Sequence, residues 1–178
     1  MKKIYIFVVV ILVLTVIYLN TKDNLGDGYK YNDLGFDYWQ TIVNKGGEVI
    51  PSKVVEFHSD SSYIIAVRII IDMYECYDKN TVTFTPENNI ALPFISRNKL
   101  QYWLIDKTHN IAYFSENKNK IEDKIRFLKL SLKFSNKDYK NNSYMNGKVG
   151  QLNPEYTCIL TNNPLENKNL NQVVDLDK

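Results

Sequence analysis

Apolar residues follow three patterns along this chain. The first is a continuous run: thirteen of the sixteen residues Ile4–Leu19 are Ile, Leu, Val or Phe. Bilayer insertion of such a run is favourable by on the order of 5 kcal/mol. With its flanks it makes a helix of roughly 27 Å, enough for the hydrocarbon core. Lys2 and Lys3 precede it and place the N-terminus on the cytoplasmic side. Residues 1–20 are therefore expected to be a signal anchor. A transmembrane helix through residues 4–19 would leave everything from about Thr21 extracytoplasmic, at the cell membrane. A cleaved signal peptide has the same charged start and apolar middle and would release a secreted protein. Thr15–Asn24 offers no Ala, Ser or Gly for such a cleavage, and the first cysteine, Cys76, excludes a lipid-modified N-terminus.

The second pattern has a period of two. Short strands are predicted at Tyr29–Tyr31 and Tyr38–Val43, followed by a turn at Lys45-Gly46-Gly47. Lys53–His58 and Tyr63–Asp72 form a hairpin through Ser59-Asp60-Ser61-Ser62. Leu100–Asp106 and Ile111–Phe114 form a second hairpin, closed by Lys107-Thr108-His109-Asn110. A further strand is plausible at Thr81–Phe84. Tyr63–Ile71 is apolar on both alternating faces, which suits a central strand covered on both sides. Arg68 is its exception: buried, it needs a carboxylate such as Glu56 or Asp72; otherwise it extends past the sheet to solvent.

The third pattern is helical. Ile121, Ile125, Leu128 and Leu132 recur at spacings of four, three and four, predicting an amphipathic helix within Asn117–Phe134 with Ser115 as N-cap. Strands first and helix last predict an α+β fold. In it a mainly antiparallel β-sheet, preceded by the transmembrane helix, carries one C-terminal amphipathic helix. Residues 24–134 form this extracytoplasmic domain. Residues 135–178 are an Asn-rich, partly flexible tail, with ten Asn in 44 residues and one strand expected at Tyr156–Leu160.

Composition narrows function mostly by exclusion. Lys2 and Lys3 account for the whole net charge of +2, so the rest is formally neutral. That sets nucleic-acid binding aside. Cys76 and Cys158 could form a disulfide worth about 4 kcal/mol in the chain-entropy model, or stay as two thiols. Two distant cysteines and two histidines make a poor zinc site.

Catalytic signatures are sparse. His58-Ser59-Asp60-Ser61 holds all three triad residue types, but neighbours in a tight hairpin cannot adopt triad geometry. G-x-S-x-G, H-E-x-x-H and P-loop patterns are absent, and Gly26-Asp27-Gly28 is only a fragment of a phosphate loop. His58, Asp60 and His109 could converge if both hairpin tips lay at one end of the sheet; solvated loop histidines are the simpler reading. Tyr38, Trp39, Tyr102 and Trp103 suit either a binding surface or a sheet core. No catalytic, cofactor or metal residues are expected. The candidate binding surface is Trp39, Tyr102, Trp103, His58 and His109.

Leu25-Gly26-Asp27-Gly28-Tyr29, the run Asp60–Arg68 and Tyr102-Trp103-Leu104-Ile105-Asp106-Lys107 resemble a family of small exported or membrane-anchored bacterial proteins of unknown function. Its members carry a Y-W-[IL]-I-D-K strand followed by a helix. The resemblance covers residues 24–134. Phe114-Ser115-Glu116 replaces the family's G-P turn, and the lipid-modified cysteine is missing. The resemblance implies an exported α+β domain and supplies no activity, since none is assigned to the family. A single anchor, one small α+β domain and no catalytic constellation give the expected function: a single-pass, membrane-anchored, non-enzymatic domain that binds a protein or envelope component. The alternatives are an immunity-type protein at the cell envelope and a small hydrolase or metal-dependent enzyme built on His58, Asp60 and His109.

Overall fold

The two-faced apolar strand is the spine of the molecule. A computed structural model describes residues 23–33, 40–80, 94–142, 145, 155–160 and 169–178. Among them the chain runs β1 (Asn24–Gly26), β2 (Tyr29–Asp33), β3 (Gln40–Asn44), β4 (Gly47–Ile50), β5 (Val54–Ser59), β6 (Tyr63–Asp78), β7 (Phe94–Asp106) and β8 (Ile111–Ser115). There follow α1 (Lys118–Phe127), β9 (Tyr156–Leu160) and β10 (Gln172–Asp175). β1 to β4 make an antiparallel sheet in chain order, and a six-stranded sheet runs β10-β8-β7-β6-β5, with β9 also paired to β6. β10 lies parallel to β8; the other pairings are antiparallel.

β6 is covered on both faces because both of its alternating side-chain rows are apolar. Ile64 and Ala66, with Trp103, Ile105 and Phe114, pack against Leu25, Tyr29, Ile42, Val49 and Ile50 of the four-stranded sheet. Ile65, Val67 and Leu104 pack on the opposite side against Ile121 and Ile125 of α1 and against Phe134 and Tyr139. The result is three layers: small sheet, large sheet, then helix plus an extended strap.

Three expectations are corrected. First, the fold is mainly β rather than α+β, and among the described residues there is no C-terminal amphipathic helix: α1 is a ten-residue helix in mid-chain. The 3.6-residue stripe breaks at Leu128 because Leu128, Leu130, Leu132 and Phe134 also alternate at a period of two. From Leu128 on they lie inward as an extended strap, with Lys129, Ser131 and Lys133 exposed. Lys129 takes the left-handed conformation that ends the helix (φ 56°), while Leu130 N donates to Ile125 O and Lys129 N to Arg126 O, a Schellman cap. Second, the N-cap is Asn117, which accepts from Asn119 N; Ser115 Oγ accepts from Asn117 N. Third, the single-pass membrane topology and the cell-membrane location are not supported. Among the described residues no helix is long and apolar enough to cross a membrane, and α1 spans only about 15 Å. Residues 4–19, on which the anchor was read, lie outside the described residues, as does the Thr81–Phe84 strand.

Two pieces of the Asn-rich C-terminal region enter the sheets. β9 pairs with the overhanging end of β6 so that Cys76 faces Cys158, and the two are joined in a disulfide with 82 residues of separation. β10 is drawn in by the buried Leu170 and by asparagines that stand in for backbone partners. Asn44 Nδ2 and Asn110 Nδ2 donate to Asn169 O, and Asn169 Nδ2 donates to Glu48 O.

The bridge closes an 82-residue loop and so removes entropy from the unfolded chain equivalent to about 4 kcal/mol. The double variant C76S/C158S should therefore lose up to about 4 kcal/mol of unfolding free energy in urea titrations. The wild-type chain in reductant should unfold at the same midpoint as the variant.

Candidate functional site

The two hairpin tips do lie at one end of the large sheet. Tyr63 is register partner to Asp106, and Lys107 N donates to Ser62 O. The tips do not assemble a reactive group. Asp60 Oδ1 accepts from Ser62 N and Tyr63 N, both at 2.8 Å, and so caps its own turn. His109 Nδ1 lies 2.8 Å from Asp106 Oδ2, and His58 Nε2 lies 3.0 Å from Glu56 Oε1. Each histidine is exposed and turned to a carboxylate of its own hairpin. Among the described residues no group of three His, Cys, Asp or Glu is placed to hold a metal ion.

The aromatic candidates divide. Trp103 is fully buried between the sheets, stacked on Phe114 at 5.0 Å, with its indole N–H donating to Gln101 Oε1. Tyr102 is half-buried on the opposite face, edge-on to Phe134. Trp39 lies outside the described residues. Arg68 is 1% exposed, and among the described residues its Nε and Nη1 have no hydrogen-bond partner. Burial pulls its pKa down to about 10, against the nearby charges of Glu48 and Asp72, so it stays charged at neutral pH. Glu56 does not serve it, and Asp72 is held by Arg97 Nε at 2.6 Å.

Leu25–Tyr29, the turn at Asp60 and the end of Tyr102–Lys107 meet at one buried ammonium. Lys107 Nζ donates to Leu25 O at 2.7 Å and to Asp60 O at 2.6 Å. A Cβ on Gly26, which sits at φ +83°, would stand 3.0 Å from that same nitrogen, so glycine serves both the turn and the approach. The motif is a clip between the two sheets.

The site that the sequence reading missed is the strap beyond the helix. Glu56, whose side chain is only 8% exposed, accepts hydrogen bonds from Ser135 N at 2.7 Å, Ser135 Oγ, Tyr139 OH and His58. Burial pushes the Glu56 pKa up, but these bonds outweigh it and hold the carboxyl at about 2. Tyr139 is pushed up, first by burial and then by its bond to Glu56. Tyr31 is raised to about 12 by burial, aided by Asp33 and Asp23. Both phenols are therefore neutral, and Tyr139 donates to Glu56.

Pinned this way, residues 135–142 stand between two open grooves. One, of about 390 Å³, is lined by Tyr31, Gln40, Lys53, Val54, Val55 and residues 137–139, 141 and 142. The other, of about 440 Å³, is lined by Leu100, Tyr102, Lys118, Met145 and residues 135–140. Amines, amides and phenols over an apolar floor, with Asp138 as the one lining carboxylate, suit hydrogen bonding and charge recognition rather than metal ligation. Composition alone hinted at this segment: Ser135–Asn142 reads S-N-K-D-Y-K-N-N, which looks like solvated tail until Glu56 is seen beneath it.

Two outcomes follow. K107M should cost about 2–3 kcal/mol in urea unfolding, because it leaves the buried Leu25 carbonyl and the part-buried Asp60 carbonyl without the Lys107 donor. Glu56 has a folded pKa below its unfolded value, so its contribution is complete above about pH 4.5 and fades as pH falls through about 2. E56Q should remove about 2 kcal/mol at pH 7 and flatten the acid limb of the stability curve between those values, as read by urea titrations across pH.

Comparison of the chain with protein-family models, characterised proteins and solved structures found no match. The chemistry of the site therefore rests on its own geometry.

Proposed function

We propose that this chain is a non-enzymatic binding domain that recognises a protein partner through residues 135–142 and the grooves beside them. The observation that carries this reading is a single arrangement: an exposed Asn- and Lys-rich segment, clamped to the Glu56 carboxylate through Ser135 and the buried Tyr139, between two grooves with apolar lining. Asn supplies adaptable hydrogen bonds, which is why binding loops use it. A segment already ordered before binding loses less freedom in the complex. The three-layer scaffold supplies the rigid base that such a site requires.

The test is site-specific photocrosslinking in cells that make the protein, with a benzophenone side chain at position 137 or 141 and, as control, at the exposed Gln172 on the far edge of the large sheet. The expected result is an adduct of discrete mass from 137 and 141 that is absent from 172. Adducts of the same pattern from all three positions, or none from 137 and 141, would overturn the proposal.

A further inference from the structure

We infer that the partner binds by strand addition: an extended segment of it, apolar on one face and polar on the other, pairs with the outer edge of β5. This rests on the binding role assigned above and names its mode of recognition. β5 ends the path of the six-stranded sheet. Among the described residues, the backbone of Val54–Ser59 makes no hydrogen bond except to β6. The register says which of its groups point outward. Antiparallel pairs alternate between those that exchange hydrogen bonds and those whose N–H and C=O groups turn away from each other. Asp60 N donates to Tyr63 O at 3.1 Å, so His58–Ile65 and Glu56–Val67 are bonded pairs as well. Phe57 and Ser59, opposite Ala66 and Ile64, therefore turn their N–H and C=O groups away from β6. The register shift between Val54 and Glu56 ends this regular edge, so the pairing surface is short. Main-chain donors and acceptors at strand spacing are met by another main chain.

What flanks the edge decides the side chains of the added strand. On one side is the strap, which reaches β5 through the Glu56 side chain and not through a backbone ladder. On the other is Tyr31, whose ring lies 4.5 Å from that of Phe57. Both line the groove of about 390 Å³ that opens at Val54 and Val55, and the added strand lies between them. Residues directly opposite Phe57 and Ser59 share their face of the sheet. The residues that bond to β5 are thus the same ones that meet the Phe57 and Tyr31 rings, and they are apolar. Their alternates turn to the strap, towards Lys137 and Asn141, and are polar.

The experiment is heteronuclear NMR on the nitrogen-labelled full-length chain. The probe is a capped peptide of alternating valine and threonine, about seven residues long and so roughly 23 Å as a strand. In the chain alone, the Phe57 and Ser59 amides should exchange with solvent faster than those of Glu56 and His58. The peptide should shift and protect the Phe57 and Ser59 amides saturably. N-methylation of the valines removes the donors that face β5 and should weaken binding by roughly tenfold or more, while N-methylation of the threonines should leave it within roughly twofold. Ser59 is exposed, and proline is tolerated at an edge position whose N–H faces solvent. S59P should therefore weaken binding severalfold and S59A should not, with circular dichroism checking that both are folded. Slow exchange of the Phe57 and Ser59 amides in the chain alone, equal loss from both methylated peptides, or no saturable response would overturn the inference. Protection of those amides that grows with protein concentration would overturn it too, by putting a second copy on the edge. Crosslinks from 137 and 141 alongside a failed peptide remove the strand-addition inference alone; failure of both removes the binding role as well.

Discussion

A strand with two apolar faces cannot be stable until both faces are covered, and that requirement on β6 organises the molecule. Ile64, Ile65, Ala66 and Val67 are all essentially inaccessible. Each large aliphatic side chain among them contributes about 1.5–3 kcal/mol when fully removed from water. One cover is the four-stranded sheet. The other is too wide for the ten residues of α1, so the chain goes on as an extended strap that lays Leu130, Leu132 and Phe134 over the remaining surface. The candidate site is a consequence of this shortage of helix: the strap that completes the cover also presents residues 135–142 to solvent.

Polar groups then set how the layers sit on one another. Hydrophobic burial is non-directional and would tolerate sliding between sheets. Lys107 reaches carbonyls on β1 and on the β5–β6 turn, while Asn44, Asn110 and Asn169 tie the small sheet, the β7–β8 turn and the C-terminal segment together. Asp177 fastens the chain end to β8 and α1 through Ser115 Oγ, Glu116 N and Lys120. Since buried donors and acceptors are costly when unpaired, each bond works as a registration mark as well as a contact.

Much of the strand inventory was legible because a period of two needs no tertiary information. The hairpin at residues 53–72, the hairpin at 100–114 and the strand at Tyr156–Leu160 follow from alternation and turn chemistry. The extent of the helix was not legible, because Leu128 and Leu132 satisfy a period of 3.6 and a period of two at once. The candidate site was hidden for a similar reason: Ser135–Asn142 has no apolar signal of its own, and its order depends on Glu56, 79 residues earlier in the chain. His58 and His109 were conspicuous as residue types, yet each proved to be paired with a neighbouring carboxylate.

By itself, then, the sequence determined the local elements, the two-faced central strand and the turns, since these depend on side-chain period and backbone preference within a few residues. Only the tertiary structure decided where the helix stops, that Cys76 and Cys158 face each other, that an Asn-rich segment becomes an edge strand, and which polar residues share a groove. Those outcomes depend on partners far apart in the chain, brought together by the need to cover β6 and to satisfy the polar groups buried in doing so.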